Sequence, residues 1–106
     1  MKLVRTTLAT ALAAAALTAL APAAHATREV DCDQPGAWWV IYSGIQHCYR
    51  DSGYKSVNIG NVWAAESGHN HGYQHTNAGA YWLDDYERIV WTTRVRATGV
   101  EITGRN

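Results

Sequence analysis

Along most of this chain, apolar and polar residues alternate in short runs broken by glycine, serine and asparagine, a rhythm of strands rather than helices. Trp38-Trp39-Val40-Ile41-Tyr42 opens the pattern with five residues of high strand preference and large side chains on both faces. Ser43-Gly44 turns the chain and Gln46-His47-Cys48-Tyr49-Arg50 returns it, which predicts a short hairpin. Asp51-Ser52-Gly53 reads as a second turn, with Gly53 able to take a positive φ. In Ser56-Val57-Asn58-Ile59 the apolar positions alternate, and Gly60-Asn61 predicts a tight reversal or a bulge before Val62-Trp63-Ala64-Ala65. Ala80-Tyr81-Trp82-Leu83, Val90-Trp91-Thr92-Thr93 and Thr98-Gly99-Val100-Glu101-Ile102 supply the remaining strands. Strands spaced this evenly, with little room for helix, predict a small all-β fold, an antiparallel Greek-key β-sandwich.

Two stretches break the rhythm. From Glu66 to Gly79 the residues are mostly Ser, Gly, His, Asn, Gln and Thr, a composition that fits either a long mobile loop or a pair of weakly apolar strands. Asp84-Asp85-Tyr86-Glu87-Arg88-Ile89 has an acidic start and Leu83, Tyr86 and Ile89 at threefold spacing, which predicts one helical turn capped by Asp84.

The N-terminus follows a different logic. Lys2 and Arg5 precede an Ala-, Leu- and Thr-rich run, and Ala24-His25-Ala26 has the small-x-small form read by signal peptidase, so residues 1–26 are a secretory signal peptide. Residues 27–36, with Cys32 and Pro35-Gly36, read as an irregular arm, and residues 37–106 as one domain. No later run is apolar for long enough to span a bilayer as a helix.

Export changes the charge balance. The full chain is formally neutral; loss of Lys2 and Arg5 leaves seven basic residues against nine acidic ones, a net charge of −2. Such a chain has no electrostatic footprint for nucleic acid or an anionic membrane. Export also favours oxidation of Cys32 and Cys48, the only two cysteines. Their bridge closes a 17-residue loop, worth about 3 kcal/mol by chain entropy. The spacing is not that of a redox CxxC pair.

The run Cys48-Tyr49-Arg50-Asp51-Ser52-Gly53, then Asn61-Val62-Trp63, Ser67-Gly68-His69-Asn70 and a final Val100-Glu101-Ile102, resembles the secreted actinobacterial branch of the βγ-crystallin superfamily. That branch contains killer toxin-like proteins and metalloproteinase inhibitors. The resemblance runs from Trp38 to Ile102 and implies two Greek-key motifs, with the disulfide tying the N-terminal arm to the second strand. Calcium-binding members carry an Asn/Asp-Asn/Asp-x-x-Ser/Thr-Ser signature of hard oxygen ligands. Here His69-Asn70-His71-Gly72-Tyr73-Gln74 keeps one Asn and lacks the Ser/Thr-Ser end, so calcium is not expected at this turn. No cofactor is expected either.

Candidate chemistry gathers in three places. Glu66, Ser67, His69, Asn70, His71 and His75 form a candidate binding loop, which an inhibitor would insert into a protease cleft. His69, His71 and His75 share a face if that stretch is extended, and would then offer a zinc or copper site; solvated loop histidines are the competing reading. Trp38, Trp39, Trp63, Trp82 and Trp91, in a chain with six Tyr and no Phe, are candidates for an aromatic sugar-binding surface, against which stands their ordinary use in a core. Asp84, Asp85 and Glu87 are too close in sequence for a glycosidase carboxylate pair spanning a cleft, and no nucleophile-elbow serine is present. The expectation is a secreted, non-enzymatic, monomeric protein. Its partner would be an extracellular cell-wall glycan, met by a killer toxin-like protein, or a protease, met by an inhibitor; an exported structural scaffold is the third reading.

Overall fold

The computed structural model describes residues 26–105, so the expected signal peptide, but for its last residue, lies outside the described residues. Among the described residues seven strands form: β1 (Arg28–Val30), β2 (Trp39–Tyr42), β3 (Gln46–Arg50), β4 (Gly53–Glu66), β5 (Asn70–Thr76), β6 (Gly79–Leu83) and β7 (Arg88–Arg105). They make one antiparallel sheet in the order β1-β3-β2-β4-β7-β5-β6. The expected all-β antiparallel architecture is present, and among the described residues no helix forms.

Two long strands, β4 of 14 residues and β7 of 18, form the centre on which the two flanking groups of strands pair. Their pairing slips at three places, between Ser56 and Ile59, Ile59 and Val62, and Val62 and Ala64. The second slip falls at Gly60-Asn61, where Asn61 has a φ of 62°. This insertion moves the inward positions from the odd register of the half-buried Val57 and Ile59 to the even register of the fully buried Val62 and Ala64. The third slip places the excess on β7 between Val90 and Val95. Bulges bend long strands and increase their twist, so the sheet folds over on itself. One arm carries β1, β3 and β2 beside the end of β4, and the other carries β5 and β6 beside the end of β7.

The core lies between these arms. Trp39, Ile41, Tyr49, Val62, Ala65, Leu83, Trp91, Ala97, Val100 and Ile102 form its buried cluster. Trp39 of β2 donates its indole Nε1–H to Gln74 Oε1 of β5 at 2.9 Å, although the two strands are not sheet neighbours. Gln74 is fully buried and also donates to the Gly99 carbonyl at 2.9 Å, fastening both arms to β7.

Three expectations are corrected. The N-terminal arm is not irregular throughout: Arg28, Glu29 and Val30 pair with Arg50, Tyr49 and Cys48, and Thr27 donates to the Asp51 carbonyl at 2.8 Å. The disulfide Cys32–Cys48, with Cα atoms 5.1 Å apart, therefore joins two segments already held by a ladder. The stretch from Glu66 to Gly79 is neither loop nor two new strands; β4 ends in it, β5 fills its middle and β6 begins at its close. The helical turn at Asp84 is absent. Instead Asp84 N–H bonds Glu87 Oε1 at 2.8 Å and Glu87 N–H bonds the Asp84 carbonyl at 3.3 Å, closing a tight turn between β6 and β7. Leu83 is buried and Tyr86 is exposed, so the threefold spacing marks no common face.

Candidate functional site

In the β5 sequence Asn70-His71-Gly72-Tyr73-Gln74-His75-Thr76, every second residue is buried: Asn70, Gly72, Gln74 and Thr76 point inward. The strand period of two therefore sends His71, Tyr73 and His75 to the outer face. Neighbouring strands extend that face. Tyr73 stands opposite Trp82 of β6 and Glu101 of β7, and Glu101 stands opposite Tyr54 of β4. Tyr54, Glu101, Tyr73 and Trp82 thus form one cross-strand row over four strands.

The aromatic members of this row are open to solvent, with Tyr54 50%, Tyr73 38% and Trp82 46% exposed. The histidines knit them together. His75 lies 5.7 Å from the Tyr54 ring and 6.0 Å from the Tyr73 ring, Tyr73 meets Trp82 edge-on at 5.1 Å, and His71 lies 5.9 Å from Trp82. Each histidine is oriented by a carboxylate: His75 Nε2 bonds Glu101 Oε1 at 2.9 Å, and His71 Nδ1 bonds Asp85 Oδ1 at 2.8 Å.

Two glycines let the rings approach the sheet. A Cβ at Gly99 would sit 2.3 Å from the Tyr54 hydroxyl, and one at Gly104 would sit 2.5 Å from His71 Nε2. With hydrogen at those positions, the side chains lie down across the backbone of β7. The result is a shallow surface of ring faces with imidazole, carboxylate and phenol groups set among them. Contiguous exposed aromatic surface with a polar rim marks a binding site. The C–H face of a sugar ring packs against such aromatic faces, while its hydroxyls reach the polar groups.

The residues anticipated from the sequence divide sharply. Trp82, His71 and His75 belong to this face. Trp39 and Trp91 do not, because both are core residues, 0% and 9% exposed, so a surface of five tryptophans does not exist. Trp63 is half-buried on the other arm, donating to the Ser43 carbonyl at 3.0 Å. Trp38 is half-buried and packs against His69 with ring centroids 4.3 Å apart, tilted by 52°. Ser67 and Asn70 are buried and offer nothing to a partner. Ser67 Oγ instead donates to the Asp84 carbonyl at 2.5 Å and accepts the Glu87 N–H at 3.0 Å. Glu66 accepts the Tyr42 hydroxyl at 2.6 Å and pairs with Arg88 at 3.4 Å. That hydrogen bond, with burial and the Glu66 charge, holds the Tyr42 phenol above its ordinary range.

The three histidines make no common metal site. His69 turns to Trp38 and Tyr86, His71 to Asp85 and His75 to Glu101. Donor atoms of His71, Asp84 and Asp85 do lie within 4.8 Å of one another, a set that sequence spacing did not bring together. Tyr54, Tyr73 and Glu101 were also missed as surface residues. For Tyr73 the signal was present in the alternation of His71, Tyr73 and His75, readable once that stretch is a strand. Compared with family models, curated proteins and solved structures, the chain matches none, so its functional reading rests on this surface and on the sequence.

Proposed function

We propose that this is an exported, non-enzymatic protein of βγ-crystallin-like kind that binds glycans on the surfaces of other microbes, in the manner of a killer toxin-like protein. The observation that carries the reading is the cross-strand row of Tyr54, Tyr73 and Trp82, exposed together and flanked by the His75–Glu101 and His71–Asp85 pairs. Its flatness suits a polysaccharide chain lying along a sheet better than a small molecule enclosed in a cleft.

The inhibitor reading required an extended, projecting segment within residues 66–77. Residues 70–76 are instead paired with β7, residues 72–76 with β6 as well, and Ser67 and Asn70 are buried. This favours the glycan reading. The test is co-sedimentation of the protein beginning at Thr27 with insoluble β-glucan, chitin and mannan. Binding to one of these, weakened about tenfold or more by Trp82→Ala, about 1.4 kcal/mol, is the expected result. No binding to any wall polysaccharide, together with inhibition of a secreted protease, would transfer the protein to the inhibitor class.

A further inference from the structure

A second set of aromatic rings lies beside the turn between β6 and β7. His69 is held between Trp38, at 4.3 Å, and Tyr86, at 4.7 Å and edge-on, and the Tyr86 hydroxyl bonds His69 Nδ1. Beside them is a recess of about 250 Å³ lined by Trp38, Glu66, Gly68, Tyr86, Glu87 and Arg88. Its base depends on Gly68, where a Cβ would stand 2.5 Å from the Trp38 Cβ and where φ is +60°.

Tyr86 itself is the informative residue. Its φ is 59°, a left-handed conformation that disfavours a bulky side chain, yet 62% of the residue is exposed. The main-chain turn needs only a backbone N–H there, donated to the Gly68 carbonyl at 2.6 Å, and glycine or asparagine would provide it with less strain. An exposed ring held in a strained backbone gains little from burial. Backbone strain of this kind gathers at ligand clamps, where the surrounding structure over-determines it.

We propose that this recess binds a single pyranose residue, the terminal sugar of the glycan whose chain lies on the outer face of β4–β7–β5–β6. The inference rests on the glycan reading and extends it to a second contact. The volume lies below the roughly 300–1,000 Å³ that holds a drug-sized ligand, and suits one ring. Trp38 and Tyr86 provide ring faces for the C–H side of the sugar. Glu66 and Glu87 accept hydrogen bonds from hydroxyls, and the Arg88 guanidinium donates to them. Arg88 is already positioned for this by Glu66 at 3.4 Å and by the rings of Tyr42 and Trp63, which it overlies at 5.4 and 5.6 Å. Two carboxylates disfavour an anionic ligand and the adjacent guanidinium a cationic one, which leaves a neutral polyhydroxyl ring. The turn Asp84–Glu87 connects the two surfaces, since His71 holds Asp85 on one side and His69 holds Tyr86 on the other.

The test is two-dimensional NMR of the isotope-labelled protein beginning at Thr27, titrated separately with glucose, mannose, N-acetylglucosamine and a soluble oligomer of each. One monosaccharide is expected to shift the amides of Gly68, Tyr86 and Glu87 while leaving those of Tyr73 and Trp82 in place. Tyr86→Gly relieves the left-handed strain, so it is expected to melt no lower than the parent, yet to lose that monosaccharide response and about tenfold in affinity for the oligomer. Unchanged oligomer affinity in Tyr86→Gly, with loss in Trp82→Ala, would overturn the recess and leave the flat surface standing. Loss in Tyr86→Gly alone would support the recess and overturn the flat surface, and no sugar response in the parent protein would overturn both.

Discussion

Replacing Gln74 by Met keeps the length of the side chain and removes both ends of the bridge across the core. Trp39 and Gln74 are each 0% exposed, so the indole N–H loses its 2.9 Å acceptor where no water replaces it. An orphaned buried donor costs about 1–3 kcal/mol, and loss of the bond to the Gly99 carbonyl costs about 1 kcal/mol more. The expected destabilisation is therefore about 2–4 kcal/mol, a large part of the total stability of a small domain. A double-mutant cycle with Trp39→Phe separates the bridge from the packing. In the Phe background no N–H is left unpaired, so Gln74→Met is expected to cost less there, with a coupling of about 1–2 kcal/mol. Urea titration followed by far-ultraviolet circular dichroism is the appropriate assay, because fluorescence changes with Trp39 itself. A cost of Gln74→Met below about 0.5 kcal/mol, or a coupling near zero, would refute the view that this bond fastens the two arms of the sheet.

Two further predictions concern the N-terminal end of the fold. Replacing both Cys32 and Cys48 by serine is expected to lower stability by about 3 kcal/mol, read as a shift of the urea midpoint, although Cys48 lies in a strand laddered on both sides. A loss under about 1 kcal/mol would mean that the β1–β3 ladder already closes the loop in the unfolded ensemble. The carboxyl of Asp51 is held below the ordinary carboxylate range, chiefly by its hydrogen bond from Arg28; burial opposes this as the next largest effect, and the hydrogen bond from Arg50 and the charges of both arginines add to the lowering. A depressed folded-state pKa gives stability that is fully present above the unfolded value of about 3.9 and fades as pH falls through the folded one. Asp51→Asn keeps the tolerance of asparagine for the φ of 73° at this position, so its stability is expected to vary less with pH below about 4 than that of the parent. At pH 7 the loss is expected to be small, about 0–1 kcal/mol, because the ion pair is partly solvated. Equal acid sensitivity of the two proteins would show that the Arg28–Asp51 pair contributes nothing to the folded state.

Local pattern made the strands legible because a strand depends mainly on which residues alternate. β2, β3 and β6 fall where the apolar runs and the Gly-containing turns place them. The β5 strand was ambiguous because its inward set, Asn70, Gly72, Gln74 and Thr76, is polar or small, so the period of two carried no hydrophobic signal. Gln74 is tolerated inside only because Trp39 and Gly99, distant in sequence, meet both ends of its amide. The turn after β6 looked like a helix start for a related reason. Asp84 and Glu87 do satisfy each other's backbone groups, as capping residues would, but Ser67, from the connection between β4 and β5, accepts the Glu87 N–H and ends the turn there.

What the sequence by itself determined is the all-β class, the one available disulfide pairing and the existence of a Gly- and His-rich segment of polar composition, since these depend on residue type and spacing alone. Which aromatic rings face water was decided by tertiary structure. Five tryptophans look alike in the sequence, yet the bulges in β4 and β7 fold the sheet so that Trp39 and Trp91 line the core and Trp82 stands outside. The same folding aligned Tyr54, Glu101 and Tyr73 with Trp82 in one row, because a single inserted residue reverses the face that every later side chain on a strand presents.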